Sequence, residues 1–193
     1  EGGIHPVFSP DGRHVAFATA SEEGGFLKRV PVGGGPVSTL CRSDPPFGMV
    51  WAPDGNLLFA EENGPLKRVH AAGGTPEAIT TLDTAGAEVS HRLPHLLEDG
   101  RTVLYTSQRW STMGGSWKHA RVYAWRPGET GRSLVAEWAA DGRWVPPGHV
   151  VFAREGRLFA VPFDARTLRP AGTPVSILEG GAHSIYMTNG SVE

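Results

Sequence analysis

Apolar residues in this chain come in short runs, and glycine, proline or aspartate closes nearly every one. Val15-Ala16-Phe17 and Leu57-Leu58-Phe59 are typical, each following an Asp-Gly corner. Runs this short, without a helical i, i+3, i+4 stripe over three turns, predict many short β-strands joined by turns. The corner itself repeats. "FSPDGRHVAF" at 8–17 aligns with "WAPDGNLLF" at 51–59 and "LLEDGRTVLY" at 96–105, with a degenerate copy, "WVPPGHVVF", at 144–152 and a partial one, "IYMTNG", at 185–190. The turn glycines Gly12, Gly55, Gly100, Gly148 and Gly190 are spaced by 43, 45, 48 and 42 residues.

The rest of each unit repeats as well. "LKRVPVGGGPVSTL" (27–40) matches "LKRVHAAGGTPEAIT" (66–80), and the segments 121–135 and 157–178 hold the same place in the later units. Each unit therefore offers four extended segments at a period in the forties, the pattern of a β-propeller blade. A single blade leaves apolar surface on both faces, and stacking against neighbouring blades buries it. The expected architecture is all-β: a propeller, or an open arc of one, of about four and a half blades. The blades fall at about 4–41, 48–83, 91–138 and 140–180, with a partial blade at 181–193.

Composition narrows the function classes. Eighteen Lys and Arg against 20 Asp and Glu give a net charge of −2 over 193 residues, with no block of like charge. That lacks the basic footprint of a nucleic-acid binder or of a protein that sits on an acidic membrane surface. No apolar run approaches the roughly 18 residues of a membrane-spanning helix. One cysteine, Cys41, excludes an intramolecular disulfide and a CxxC metal site. The chain opens in mid-pattern with "EGGIHPVFSPDG", without an initiator methionine or a signal peptide. A piece of a longer polypeptide is the expectation.

The units "FSPDGRHVAF", "WAPDGNLLFA", "LKRVPVGGGP" and "LKRVHAAGGTP" resemble the WD40-like PD40 repeats of TolB-type propellers. The stretches 71–83, 88–106 and 145–180 resemble more closely the TolB-like propeller attached to bacterial receptor-type serine/threonine protein kinases. That resemblance implies a non-enzymatic sensing or interaction module in an extracytoplasmic location. It does not bring kinase activity, because no HRD, DFG or Gly-rich kinase signature is present. TolB-type propellers commonly have six blades, so four and a fraction leave open, partly apolar ends. Blades outside this chain, pairing with a second copy, or closure by four blades would each cover them. Pairing of a fragmentary chain with another copy is favoured, which makes a homo-oligomer through the open ends the expected state.

The candidate residues sort by the chemistry their spacing permits. Asp11-Gly12, Asp54-Gly55 and Asp99-Gly100 are expected to be blade turns: Asp bonds its own backbone and Gly supplies a positive φ. A calcium loop needs several oxygen ligands in one segment, and each corner has a single Asp. His91 and His95 on one strand would share a face about 13 Å apart, too far to share a metal. If 88–96 is an innermost strand, His91 would line the central channel, with His5 in the matching place on the first blade. The G-x-S-x-G nucleophile elbow of hydrolases is absent, although TolB-like propellers also cap peptidases. "GGGP" (33–36) and "AGGTP" (72–76) precede no helix and are expected to be hairpin turns, not phosphate loops. Trp51 is expected in an inter-blade core. Trp110, Met113, Trp117 and Lys118 lie in the longest insertion between strands, where a propeller would place a partner-binding loop. No catalytic residue, metal or cofactor is assigned, and the expected partner is a protein or peptide. The alternative is the accessory propeller of a hydrolase, peptidase or lyase whose catalytic part lies outside this chain.

Overall fold

The computed structural model describes residues 3–20, 24–44, 46–109 and 119–179. It is all-β, with four sheets met in chain order. The first holds β1 (Gly3–Phe8), β2 (His14–Thr19), β3 (Phe26–Pro31) and β4 (Ser38–Arg42). The second holds β5 (Met49–Trp51), β6 (Asn56–Ala60), β7 (Leu66–His70) and β8 (Glu77–Ala78). The third holds β9 (Glu88–Leu96), β10 (Val103–Arg109), β11 (Arg121–Trp125) and β12 (Arg132–Glu137). The fourth holds β13 (Ala140–Val145), β14 (His149–Arg154), β15 (Arg157–Asp164), β16 (Arg169–Pro170) and β17 (Val175–Leu178), the last paired with β15. Apart from β17, which pairs with β15, the strands pair with their sequence neighbours, and every strand pairing is antiparallel. The partial blade expected at 181–193 lies outside the described residues.

The turns show why the Asp-Gly corners repeat. Asp11 Oδ1 accepts from the Arg13 amide at 3.0 Å, Asp54 Oδ1 from Asn56 at 3.0 Å and Asp99 Oδ1 from Arg101 at 2.9 Å. Each aspartate spends its carboxylate closing its own corner. The fourth corner is Pro146-Pro147-Gly148, with a cis peptide between the prolines.

Alternation along each strand gives every blade two apolar faces, one upstream toward the preceding blade and one downstream toward the next. Leu57, Phe59 and Trp51 on the upstream face of blade two meet Ala16, Ala18 and Leu27 of blade one. Val103, Tyr105 and Tyr123 of blade three meet Leu58, Ala60 and Leu66 of blade two. Val150, Phe152 and Val161 of blade four meet Leu104, Val122 and Ala124 of blade three. Four sheets share three such seams among the described residues, so the arc does not close.

Cys41 sits in the first seam, and burial, aided by the charge of Glu61, pushes its thiol up to about 11. Native protein is expected to resist iodoacetamide at neutral pH, while protein unfolded in guanidinium reacts fully. Fast labelling of the native chain would place Cys41 outside that seam.

A second repeat appears only in the backbone. Seven residues before each turn glycine, the innermost strand adopts a positive φ: His5 at 52°, Gly48 at 105°, Leu93 at 55° and Asp141 at 56°. In blades one, three and four the strand register shifts there, so that two residues oppose one on the next strand. This is a β-bulge, which bends the strand and re-aims its side chains. The residue opposite the bulge is Phe17, Tyr105 or Phe152, and Phe59 holds that place in blade two.

Candidate functional site: a buried polar cluster on the third blade

Most innermost strands here carry apolar or turn residues, but β9 reads Glu-Val-Ser-His-Arg-Leu-Pro-His-Leu and buries most of it. Glu88 and His91 have no exposed side-chain surface. Both lie on the upstream face, in the seam with blade two, where a charge survives only if it is paired and hydrogen-bonded. Arg132, from the outermost strand of the same blade, reaches across the sheet to supply the pair. Its Nη2 lies 2.7 Å from Glu88 Oε1 and its Nη1 2.9 Å from Oε2, a two-pronged contact. The guanidinium carbon stands 4.1 Å from the centre of the Tyr123 ring, and Nη1 also reaches the Tyr105 hydroxyl at 3.3 Å.

Glu88 has further donors. Ser107 Oγ donates to Oε1 at 2.6 Å, and the Asp83 amide donates to Oε2 at 2.7 Å. His91 Nε2 lies 3.1 Å from Oε2, and its Nδ1 2.8 Å from Thr80 Oγ1, which itself accepts from the Leu66 amide at 2.9 Å. One proton arrangement satisfies the whole chain. Leu66 N–H donates to Thr80, the Thr80 hydroxyl donates to His91 Nδ1, and His91 Nε2–H donates to Glu88. Burial alone would push the Glu88 carboxyl up. Hydrogen bonds from His91, Arg132, Ser107 and the Asp83 amide outweigh it and hold the carboxyl far below the ordinary carboxylate range. Burial pushes the Tyr105 phenol up to about 12, against the lowering effect of Arg132.

Thr80, His91 and Glu88 stand in the order hydroxyl, imidazole, carboxylate, which resembles a hydrolytic triad. The surroundings argue for holding rather than turnover. The carboxylate is already neutralised by a guanidinium, whose Nη1 also stands 3.2 Å from His91 Nε2. The cluster joins Thr80, beyond the last strand of blade two, to both the inner and outer strands of blade three. It works as a clasp across the second seam.

The other side of β9 forms a second layer. Arg92 Nε donates to Ser90 Oγ at 2.8 Å, Ser90 Oγ donates to Gln108 at 3.1 Å, and the Arg92 guanidinium lies 4.0 Å from the Phe47 ring centre. His95 faces blade four, with Nδ1 3.5 Å from Arg143 Nη1. Burial, and then the Arg143 charge, push its imidazole down to about 4.

This geometry corrects three sequence expectations. His91 does not line the channel: it is fully enclosed in the seam between blades two and three. His5 is not its counterpart, because counting back from the turn glycine pairs His5 with Leu93. Nor do His91 and His95 share a face. The bulge at Leu93-Pro94 adds a residue between them, so His91 opposes Ser107 and faces upstream while His95 opposes Leu104 and faces downstream.

Periodicity missed Thr80, Glu88, Tyr105, Ser107 and Arg132. The available signal was a strand with five polar or ionisable residues where the first two units carry mostly apolar ones.

Two clefts lie where consecutive corners meet, away from the clasp. One, of about 380 Å3, lies between the corners of blades one and two, with His14, Arg29, Trp51 and His70 on its walls. The other, of about 490 Å3, lies between blades two and three, beside Arg68, Leu96, Arg101 and Trp125. Trp110, Met113, Trp117 and Lys118 lie outside the described residues. Among the described residues, no three His, Cys, Asp or Glu side chains gather as metal ligands, and no helix is long and apolar enough to cross a membrane.

No family model and no curated protein matches the sequence. Solved structures match by shape. TolB from Acinetobacter baumannii aligns with a TM-score of 0.65 at 15% identity, covering 93% of this chain and 44% of that one. An oligogalacturonate lyase from Vibrio parahaemolyticus aligns at 0.68 and 14% identity, covering 90% and 51%. Regucalcin, a calcium-binding protein from Agrobacterium tumefaciens, aligns at 0.65 and 16% identity, covering 90% and 58%. The chain thus spans about half the length of these structures. Their differing activities mean that the likeness reaches the fold and stops there. The fold is that of a β-propeller similar to TolB, and the described residues form an open arc of four blades.

Proposed function

We propose that the chain is the propeller part of a non-enzymatic interaction or sensing module that takes a protein or peptide partner. The observation that supports this is the state of the polar cluster on β9. The grouping closest to a catalytic constellation is spent on joining two blades, with Glu88 shared among Arg132, His91, Ser107 and the Asp83 amide. Recognition then falls to segments where the repeats differ, above all the aromatic insertion that carries Trp110, Met113, Trp117 and Lys118. The resemblance to kinase-linked propellers supports a sensing role outside the cytoplasm, attached to a kinase in a longer polypeptide.

The test uses the wild-type chain, and its Trp110→Ala/Trp117→Ala variant, as bait for interacting proteins. Partners retained by wild type are expected to lose at least tenfold in affinity to the variant. Partners bound equally by both overturn the loop assignment. Turnover of a peptide or oligosaccharide panel, lost on His91→Ala, would overturn the non-enzymatic reading and favour the lyase or peptidase alternative.

A further inference from the structure

We infer that the cleft between the corners of blades one and two binds a small ligand carrying a carboxylate or phosphate group on an aromatic or similarly flat apolar body. Both walls belong to whole blades, and at about 380 Å3 the cleft falls in the size range of small-molecule sites. The internal repeat shows what sets it apart. Arg29 and Arg68 hold the same place in the two "LKRV" segments. Each stands opposite a residue of its blade's downstream face, Ala16 or Leu58, and so points toward the next blade, where it lines a cleft. On the other side of its strand Arg68 pairs with Glu77, and its Nε and Nη2 donate to Glu77 Oε2 at 3.2 and 3.0 Å. In blade one the residue opposite Arg29 is Ser38. Among the described residues no carboxylate forms an ion pair with Arg29. The second cleft therefore neutralises its arginine from within, and the first leaves a guanidinium fork open to an oxyanion.

The rest of the first cleft suits the body of such a ligand. Trp51, 8% exposed, gives it a flat wall, with the His14 ring 6.4 Å away, centre to centre, and tilted by 44°. His70 Nδ1 accepts from the Ala72 amide at 3.1 Å, which leaves Nε2 to carry the ring proton of the neutral imidazole. That nitrogen lies beside Gly55, where a Cβ would meet it at 3.2 Å, and both residues line the cleft, so Nε2 is a second donor there. Asp11 is the one carboxylate among the described lining residues, with Oδ1 held by Ser9 Oγ at 2.6 Å and the Arg13 amide at 3.0 Å. Its charge favours a single compact oxyanion over a polyanion. Such binding does not rest on a partner at the insertion that carries Trp110 and Trp117.

The experiment titrates the full chain with benzoate, phenyl phosphate and the uncharged benzamide, following the Trp51 indole N–H by NMR. At least one of the two anions is expected to move that signal at a concentration roughly tenfold or more below benzamide, since the neutral probe lacks the charge-assisted pair with Arg29. The tighter anion identifies the head group. Ser38→Glu gives Arg29 the partner that Glu77 gives Arg68, and is expected to raise the half-saturating concentration of that anion roughly tenfold or more. Ser38 is exposed, so the variant keeps the fold. Arg29→Met is expected to have the same effect, and Glu77→Ser to leave binding at Trp51 unchanged. Benzamide binding as tightly as both anions overturns the inference. So does a Ser38→Glu chain that binds as wild type does, or a Trp51 signal that none of the three probes moves.

Discussion

Replacing Arg132 with methionine is expected to destabilise the fold by about 3–5 kcal/mol, because it leaves the Glu88 carboxylate buried without its counter-charge. The substitution keeps much of the side chain's apolar length over Tyr123, so the loss reports the charge and its hydrogen bonds more than packing. Urea unfolding of wild type and variant measures it as a fall in midpoint at unchanged slope. A loss below about 1 kcal/mol, the range of exposed ion pairs, would mean that water reaches Glu88 and that the clasp is not closed. The double variant Glu88→Leu/Arg132→Met is expected to recover most of the loss, since a pair removed together leaves no orphan charge.

The same pair sets a dependence on pH whose sign differs between wild type and variant. In wild type the folded-state value of Glu88 lies below its ordinary 4.5, so its contribution is fully present above that value. It is lost as acid protonates the carboxyl in the folded state, and stability falls as pH drops below about 5. Without Arg132 one of the main lowering contacts, second to the His91 hydrogen bond, is gone, so burial counts for more and shifts the balance toward the neutral acid in the folded state. The variant then gains relative to wild type as pH falls, and the gap between them narrows from pH 7 toward pH 4. A gap independent of pH would separate the destabilisation from Glu88 ionisation. His95 acts in the same direction as wild-type Glu88. Its imidazole is pushed down to about 4 from an ordinary 6.5, so its share of stability is present above 6.5 and is lost between the two values.

The parts of this molecule that were legible in the sequence are those written locally. An Asp-Gly corner is four residues long and carries its own physical reason, so its repetition at Gly12, Gly55 and Gly100 revealed the blades. The clasp is not local. Thr80, Glu88, Ser107 and Arg132 span more than fifty residues and meet because the sheets stack. Period-two reasoning then failed on β9 for a definite cause: the bulge at Leu93-Pro94 breaks the alternation between His91 and His95. Pro6 and Pro94 both follow a residue of positive φ and both precede the corner glycine by six residues, a coincidence visible in the letters. Aligning the innermost strands on that glycine, rather than on their histidines, would have separated His5 from His91.

That bulge also explains why its blade-two counterpart is a glycine, and why Gly48→Ala is expected to be severely destabilising. Gly48 has a φ of 105°, outside the left-handed well that His5, Leu93 and Asp141 occupy near 55°. A Cβ placed on it would stand 2.8 Å from Leu93 Cα, 3.1 Å from Leu93 N and 3.1 Å from Pro94 Cδ. Two of those contacts are backbone, and the Leu93 amide is held at 2.9 Å by the Phe47 carbonyl beside it. Relief therefore requires the two innermost strands to separate, which breaks that hydrogen bond and moves Phe47 from beneath Arg92. Backbone strain of about 1–3 kcal/mol and overpacking of similar size place the loss at about 3 kcal/mol or more. Gly34→Ala supplies the control, because Gly34 also has a positive φ, 86°, but nothing stands within 4 Å of its Cβ position. It is expected to lose only about 1–2 kcal/mol, from conformation alone. If the two variants unfold at the same urea concentration, the close approach of Gly48 to Leu93 is not what fixes the register of the second and third blades. A difference of about 2 kcal/mol, with Gly48→Ala the weaker and its Arg132 variant no longer much worse than itself, would tie the bulge and the clasp into one cooperative seam.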